Sequence, residues 1–147
     1  MTQPIDMQSA IFTELKALLA SVPNFGAKVI EDDVLRVIDA DDEGLPDDLI
    51  ILQPGTTEEV ERQASNSVRE RLTVNITLMT RRRDYLAALR AGRLAVKVQL
   101  AGTKLGLKQQ GVQQGAFQPE TPMAPRNGRR WAAQVMPVQI PYVQPLK

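Results

Sequence analysis

The clearest pattern along the chain lies between Leu72 and Met79, where Leu72, Val74, Ile76 and Leu78 alternate with Thr73, Asn75, Thr77 and Met79. A two-residue period puts the four aliphatic side chains on one face of an extended segment. It predicts a long, half-buried strand whose apolar face needs a cover. Upstream, Ile11, Leu15, Leu18 and Val22 recur at helical spacing, Phe12 and Leu19 widen the stripe, and Asp6 stands where an N-cap belongs. A helix is expected from about Met7 to Val22, ended by Pro23-Asn24 and Gly26. Downstream, Leu86, Leu89, Val96 and Leu100 predict a second amphipathic helix from about Asp84, a possible cap, to Leu100, stopped at Gly102.

The remaining apolar runs are short. Ala27 to Ile30 and Val34 to Ile38 read as β-prone, and Leu49 to Gln53 reads as a central strand that Pro54-Gly55 then turns. Thr57 to Gln63 reads as an exposed strand, joined through Ala64 to Ser67 to the long one, so that Glu58, Glu59 and Glu61 come near Arg69 and Arg71. Val112 to Gln118 and Arg130 to Tyr142 pair across a tip containing Asn127-Gly128. Pro137, Pro141 and Pro145 all fall at odd positions, so one edge of that last strand lacks donors and the strand should terminate the sheet. The expected fold is one α/β domain over residues 1–147, more narrowly α+β. Its sheet is mixed and largely antiparallel, flanked by two main helices and carrying a long β-hairpin.

Composition narrows the chemistry. Hydrophobic residues at 43% and charged residues at 24% indicate a globular chain, and the 4% aromatic share leaves an aliphatic core. Trp131, the single tryptophan, is then expected as a core anchor more than an interface hot spot. Cysteine and histidine are absent, which removes disulfides and thiolate chemistry and disfavours zinc. The opening MTQPIDMQSA has no basic and apolar leader pattern, and no apolar run nears the roughly 20 residues of a membrane span, so a soluble, cytosolic protein is expected.

The net charge of +1 conceals a division. Residues 1–61 hold 14 acidic side chains against Lys16, Lys28 and Arg36, and residues 62–147 hold 15 basic ones against Glu70, Asp84 and Glu120. The halves either neutralise each other on folding or leave unlike surfaces through which copies dock side to side, the arrangement that closes into a ring. The interface candidates are Asp39, Asp41, Asp42, Glu43 and Asp47 on the acidic side. Arg81, Arg82, Arg83, Arg126, Arg129 and Arg130 are those on the basic side.

Other chemistry is poorly supported. Asp39 to Gly44 opens like a calcium loop, but Ile50 stands where a bidentate Glu belongs and Pro46 interrupts, so a solvated or docking loop is expected rather than a metal site. Arg81-Arg82-Arg83 at a helix start needs a carboxylate or anion partner. A nucleic-acid reading lacks interleaved aromatics, and no Gly-Lys-Ser or Gly-Lys-Thr supports a phosphate loop in the glycine- and lysine-containing segment after the second helix. Ser9, Ser21, Ser65 and Ser67 carry no nucleophile motif, and any acid pair in so acidic a region arises by chance. No catalytic residue and no cofactor is expected, and the chain is read as not an enzyme.

Val29 to Asp39, Leu45 to Gly55, Arg71 to Leu78 and Trp131 to Tyr142 together resemble the tail terminator proteins of tailed bacteriophages, including the lambda-type minor tail protein U and Mu-like tail-assembly proteins. The likeness is one of pattern across most of the chain and departs from the lambda type in the Gln-rich segment from Gln109 to Gly115 and in the Pro-studded C-terminus. The resemblance implies a structural virion protein, made in the host cytoplasm and working without a chemical step. A homo-hexameric ring would cap the completed tail tube, stop its polymerisation and present the head-joining surface. Its partners would be copies of itself, the tail-tube protein and a neck or head-completion protein, with DNA merely passing through the channel and no membrane involved. A head-completion or neck connector is the alternative, and a nucleic-acid-binding module a more distant one.

Overall fold

The alternating run is the middle of a sheet. In the computed structural model, which describes residues 3–147 and so leaves Met1 and Thr2 of the leader reading outside, β3 (Ser67–Thr80) lies antiparallel to both β2 (Asp48–Gln63) and β6 (Ala132–Pro145). A short β1 (Val29–Glu31) adds parallel to the start of β2. On the far side, β4 (Ala116–Phe117) and β5 (Thr121–Met123) both pair with β6, giving the order β1-β2-β3-β6-β4. With three α-helices against this mixed, mostly antiparallel sheet, the fold is α+β.

One face of the sheet is apolar along most of its length. Leu72, Val74, Ile76 and Leu78 are wholly buried, joined by Ile50 and Leu52 from β2 and Met136, Val138 and Ile140 from β6. Helices α1 (Met7–Leu19) and α3 (Tyr85–Gln99) cover it. The Asp6 carboxylate caps α1, accepting from the backbone N–H groups of Gln8 and Ser9, and Ile11, Leu15 and Leu19 face the sheet.

Helix α3 departs from expectation in two ways. Leu86 is not on the buried stripe but 62% exposed, and the stripe runs through Leu89, Gly92, Val96 and Leu100. Gly92 is required there, because a Cβ at this position would stand 2.7 Å from the Phe25 ring. Nor does Asp84 cap the helix: at φ −83°, ψ 37° it is not in the extended conformation that aims a capping carboxylate at the free N–H groups, and it makes no such bond.

The opposite face is covered at one end only. Val34 to Ile38, expected as β-prone, belongs to a helix, α2 (Val34–Ala40), capped by Asp33, which accepts from Leu35 and Arg36 N–H. Valines one turn apart, Val34 and Val37, are buried while Leu35 and Arg36 stay outside, a helical pattern that a strand cannot produce. They pack with Leu49, Ile51, Met79, Ala133 and Trp131 into a second core, so Trp131 is a core residue. Further along this face, Thr73, Asn75 and Gln139 remain half-exposed and polar.

Two strand expectations also change. Pro54-Gly55 does not turn the chain; β2 runs on as one strand, with register shifts against β3 between Pro54 and Thr57 and between Glu59 and Glu61. Pairing with β1 has ended at Leu52, so Pro54 lies where β2 has become an edge, which proline tolerates. At β6 the carbonyls of Pro137 and Pro141 accept from Gln118 N (2.8 Å) and Gln113 N (2.9 Å), so these prolines do face the outer edge. The strand nevertheless does not terminate the sheet, because the short β4 and β5 fit between the missing donors.

Candidate functional site

The predicted acidic and basic groups meet, and they do so within one chain. The loop after α2 begins with Asp41 in a left-handed conformation (φ 41°), which turns it back over the end of β3. Arg81, at that end, has only 5% of its side chain exposed. Its guanidinium donates to Asp41 Oδ1 (3.3 Å) and to the carbonyls of Asp42 and Leu45, and stacks 4.5 Å from the centre of the Trp131 ring. Asp47 Oδ1 lies 3.5 Å from Arg81 Nε, close enough for attraction but not hydrogen-bonded. Arg82 pairs with the buried Asp48, whose other oxygen accepts from Thr80 Oγ1 at 2.7 Å.

From the loop just before β6, Arg130 holds Asp41 (2.9 Å) and Glu43 (2.6 Å), and Arg129 holds Asp39 (2.9 Å). The Arg130 bonds, more than the Arg81 bond, draw the Asp41 carboxyl below its ordinary range. Asp42 accepts from Gly44 N–H. The acidic loop is thus neither merely solvated nor directed at a common centre. The carboxylates that opened like a calcium loop are taken up by Arg129 (Asp39), Arg130 (Asp41 and Glu43) and Gly44 N–H (Asp42), and no cluster of three or more metal-ligating side chains forms among the described residues. The conditional expectation for Arg81 and Arg82 holds, since carboxylates answer both.

Arg83 and Arg126 are left over, with no ion pair among the described residues; Arg90, Lys104 and Lys108 are in the same state. On the hairpin, Glu58 with Arg71 (3.2 Å) and Glu61 with Arg69 (3.4 Å) form the expected cross-strand pairs, while Glu59 turns to Arg62.

Sequence reasoning missed a second charged cluster. Glu120 accepts from Arg93 Nε (2.6 Å) and Nη2 (2.8 Å), from Lys97 (3.0 Å) and from Gln134 Nε2 (3.0 Å), tying α3 to the segment between β4 and β5 and to β6. The Arg93 bonds hold its carboxyl down to about 2 against an ordinary 4.5. The one available signal was isolation: Glu120 is the only acid after Asp84.

The surface also carries apolar groups that nothing among the described residues covers. Leu86, Leu94 and Val98 are 62%, 61% and 62% exposed along one line of α3, with Arg90 between them. Leu35 of α2 is 66% exposed and borders a cleft of about 200 Å³ whose walls are apolar (Ile38, Met123, Ala124, Trp131, Ala133) and basic (Arg126, Arg129). Small-molecule sites usually begin at roughly 300 Å³, so this cleft suits a side chain better than a cofactor. No helix among the described residues is long and apolar enough to cross a membrane. Neither a protein-family model nor a curated protein sequence matches the chain.

Proposed function

We propose that this chain is a structural protein of a phage-like virion. In this reading a homo-oligomeric ring seats on the end of the finished tail tube, stops further addition of tube subunits and offers the surface to which the head is joined. The observation that carries it is the line Leu86, Leu94 and Val98, an apolar face left open on a helix whose other side is already in the core. A helix apolar on both sides suits packing between two bodies, and an open patch of this kind marks a protein contact. The resemblance to tail terminators supports the particular role. Its four segments fall on β1 with α2, the loop into β2, the heart of β3, and β6, the scaffold that positions both exposed faces.

The function needs no chemical step, only shape and contact, and its place would be the virion, with assembly in the host cytoplasm. The test is to polymerise a tail-tube protein with and without the purified chain and measure tube lengths by electron microscopy. Shortened tubes bearing a cap at one end are expected. Tubes of unchanged length whose ends stay bare would rule the role out.

A further inference from the structure

We propose that α2 and the loop after it form a displaceable lid over the second core, held shut by a catch of three arginines and able to open while the rest of the fold stays intact. Main-chain bonding marks out the unit. At one end Asp32 N–H donates to the Leu52 carbonyl (3.3 Å), and at the other Arg81 N–H donates to the Asp47 carbonyl (2.9 Å). Between these hinges, residues 33–46 make main-chain bonds only to each other, as in Val37 N to Asp33 O, Asp41 N to Val37 O and Leu45 N to Asp42 O (each 3.1 Å), and none to the rest of the described residues. Everything that holds the segment down therefore passes through side chains.

Those side chains are few. Val34 and Val37 are the buried residues of the segment, with Ile38 and Leu45 packed only partly beneath it. The polar ties are Arg129 to Asp39, Arg130 to Asp41 and Glu43, and Arg81 to Asp41 and to the carbonyls of Asp42 and Leu45. All three arginines belong to the strands' side of the contact, Arg81 just after β3 and Arg129 and Arg130 just before β6, while every acceptor belongs to the lid. Arg129 and Arg130 are about half-exposed, so salt weakens their share of the catch. The seam beside α2 is also unfilled, since the cleft of about 200 Å³ separates Leu35 and Ile38 from Met123 and Ala124. Lifting the lid leaves the main core whole, because the cluster under α1 and α3 shares no residue with the one under α2. A seven-residue helix is too short to persist once detached, so opening melts α2 and bares Leu49, Ile51, Met79, Ala133 and Trp131. The lid thus withholds an apolar strip, of the kind that seeks a partner, until competing charge releases the catch.

Hydrogen exchange of the full chain, followed in increasing urea, tests the lid. The amides of Val37, Asp41 and Leu45 should exchange on the order of a hundredfold faster than those of Leu15 and Leu19 in α1, and with little dependence on urea, the mark of local opening. Arg130→Gln, at a half-exposed position, should speed the lid amides about fivefold and leave α1 unchanged. Raising sodium chloride from about 0.05 M to about 0.5 M should act in the same direction. Because the chain has no native cysteine, Val37→Cys gives a second readout: a thiol reagent should label it faster than Ile76→Cys in the main core, and adding Arg130→Gln should hasten only the former. Lid amides that exchange at the rate and urea dependence of Leu15 and Leu19 would mean that the segment opens only with the whole domain, which overturns the lid. Fast local exchange that neither salt nor Arg130→Gln alters would overturn the catch.

Discussion

The two outer helices of this protein solve opposite problems. Around α2 the sequence gathers carboxylates in abundance, and the fold answers five of the nine from Glu31 to Asp48 with Arg81, Arg82, Arg129 and Arg130 of the same chain and a sixth, Asp32, with Arg36. Around α3 the outward residues are mostly aliphatic, and nothing answers them. The lesson is that density of charge is a poor guide to where a partner docks, because charges find partners locally when the loop bearing them can bend. Exposed apolar surface has no such local remedy, and it is there that a second body gains most by binding.

The comparison can be broken most severely at Arg81. Arg81→Ala removes a nearly buried guanidinium that holds one carboxylate, two carbonyls and an aromatic face, and should cost about 3 kcal/mol in urea unfolding. A loss below about 1 kcal/mol would mean that the acidic loop is held by Arg130 alone. Next in size is Gly92→Ala, on the inner side of α3. Contact with Phe25 should cost about 2 kcal/mol even after the gain in helix propensity, and Phe25→Leu in the same chain should recover most of it.

Glu120→Gln comes third, at about 1.5 kcal/mol at neutral pH, since its partners are partly solvated. Because its folded value of about 2 lies below the ordinary 4.5, its contribution is complete above about pH 4.5 and disappears as the pH falls toward 2. The native chain should therefore lose stability across that acid window more steeply than Glu120→Gln, and parallel profiles would contradict the assignment. The smallest effect on folding is expected from Leu94→Glu, within about 0.5 kcal/mol of the native chain. Its effect should appear instead in sedimentation, as loss of the assembled species.

What the sequence disclosed depended on how far each signal reached. The alternation from Leu72 to Leu78 was legible because one unbroken apolar face has only one way to be buried, and Asp6 was legible because capping is local. Val34 to Ile38 misled because a run so short and β-branched fits either period, and the decision lay with the Asp33 cap and the space over Leu49 and Ile51. Leu86 misled because it continues an apolar pattern that in fact has two sides. For the charged groups, opposite signs in the two halves revealed that they would meet. Whether within a copy or between copies depended on the bend at Asp41, a left-handed residue no pattern announced.

Proline placement on β6 has a bearing on growth. With Pro137 and Pro141 offering only oxygen outward, and the chain from Gly111 to Met123 already moulded to that irregular rhythm, this flank holds no regular row of peptide groups for an extra strand to zip onto. Uncontrolled stacking into fibrils is blocked there by covalent structure, not by a removable charge. In the proposed ring, such a barred flank would leave copies to meet through side chains, where geometry can count them.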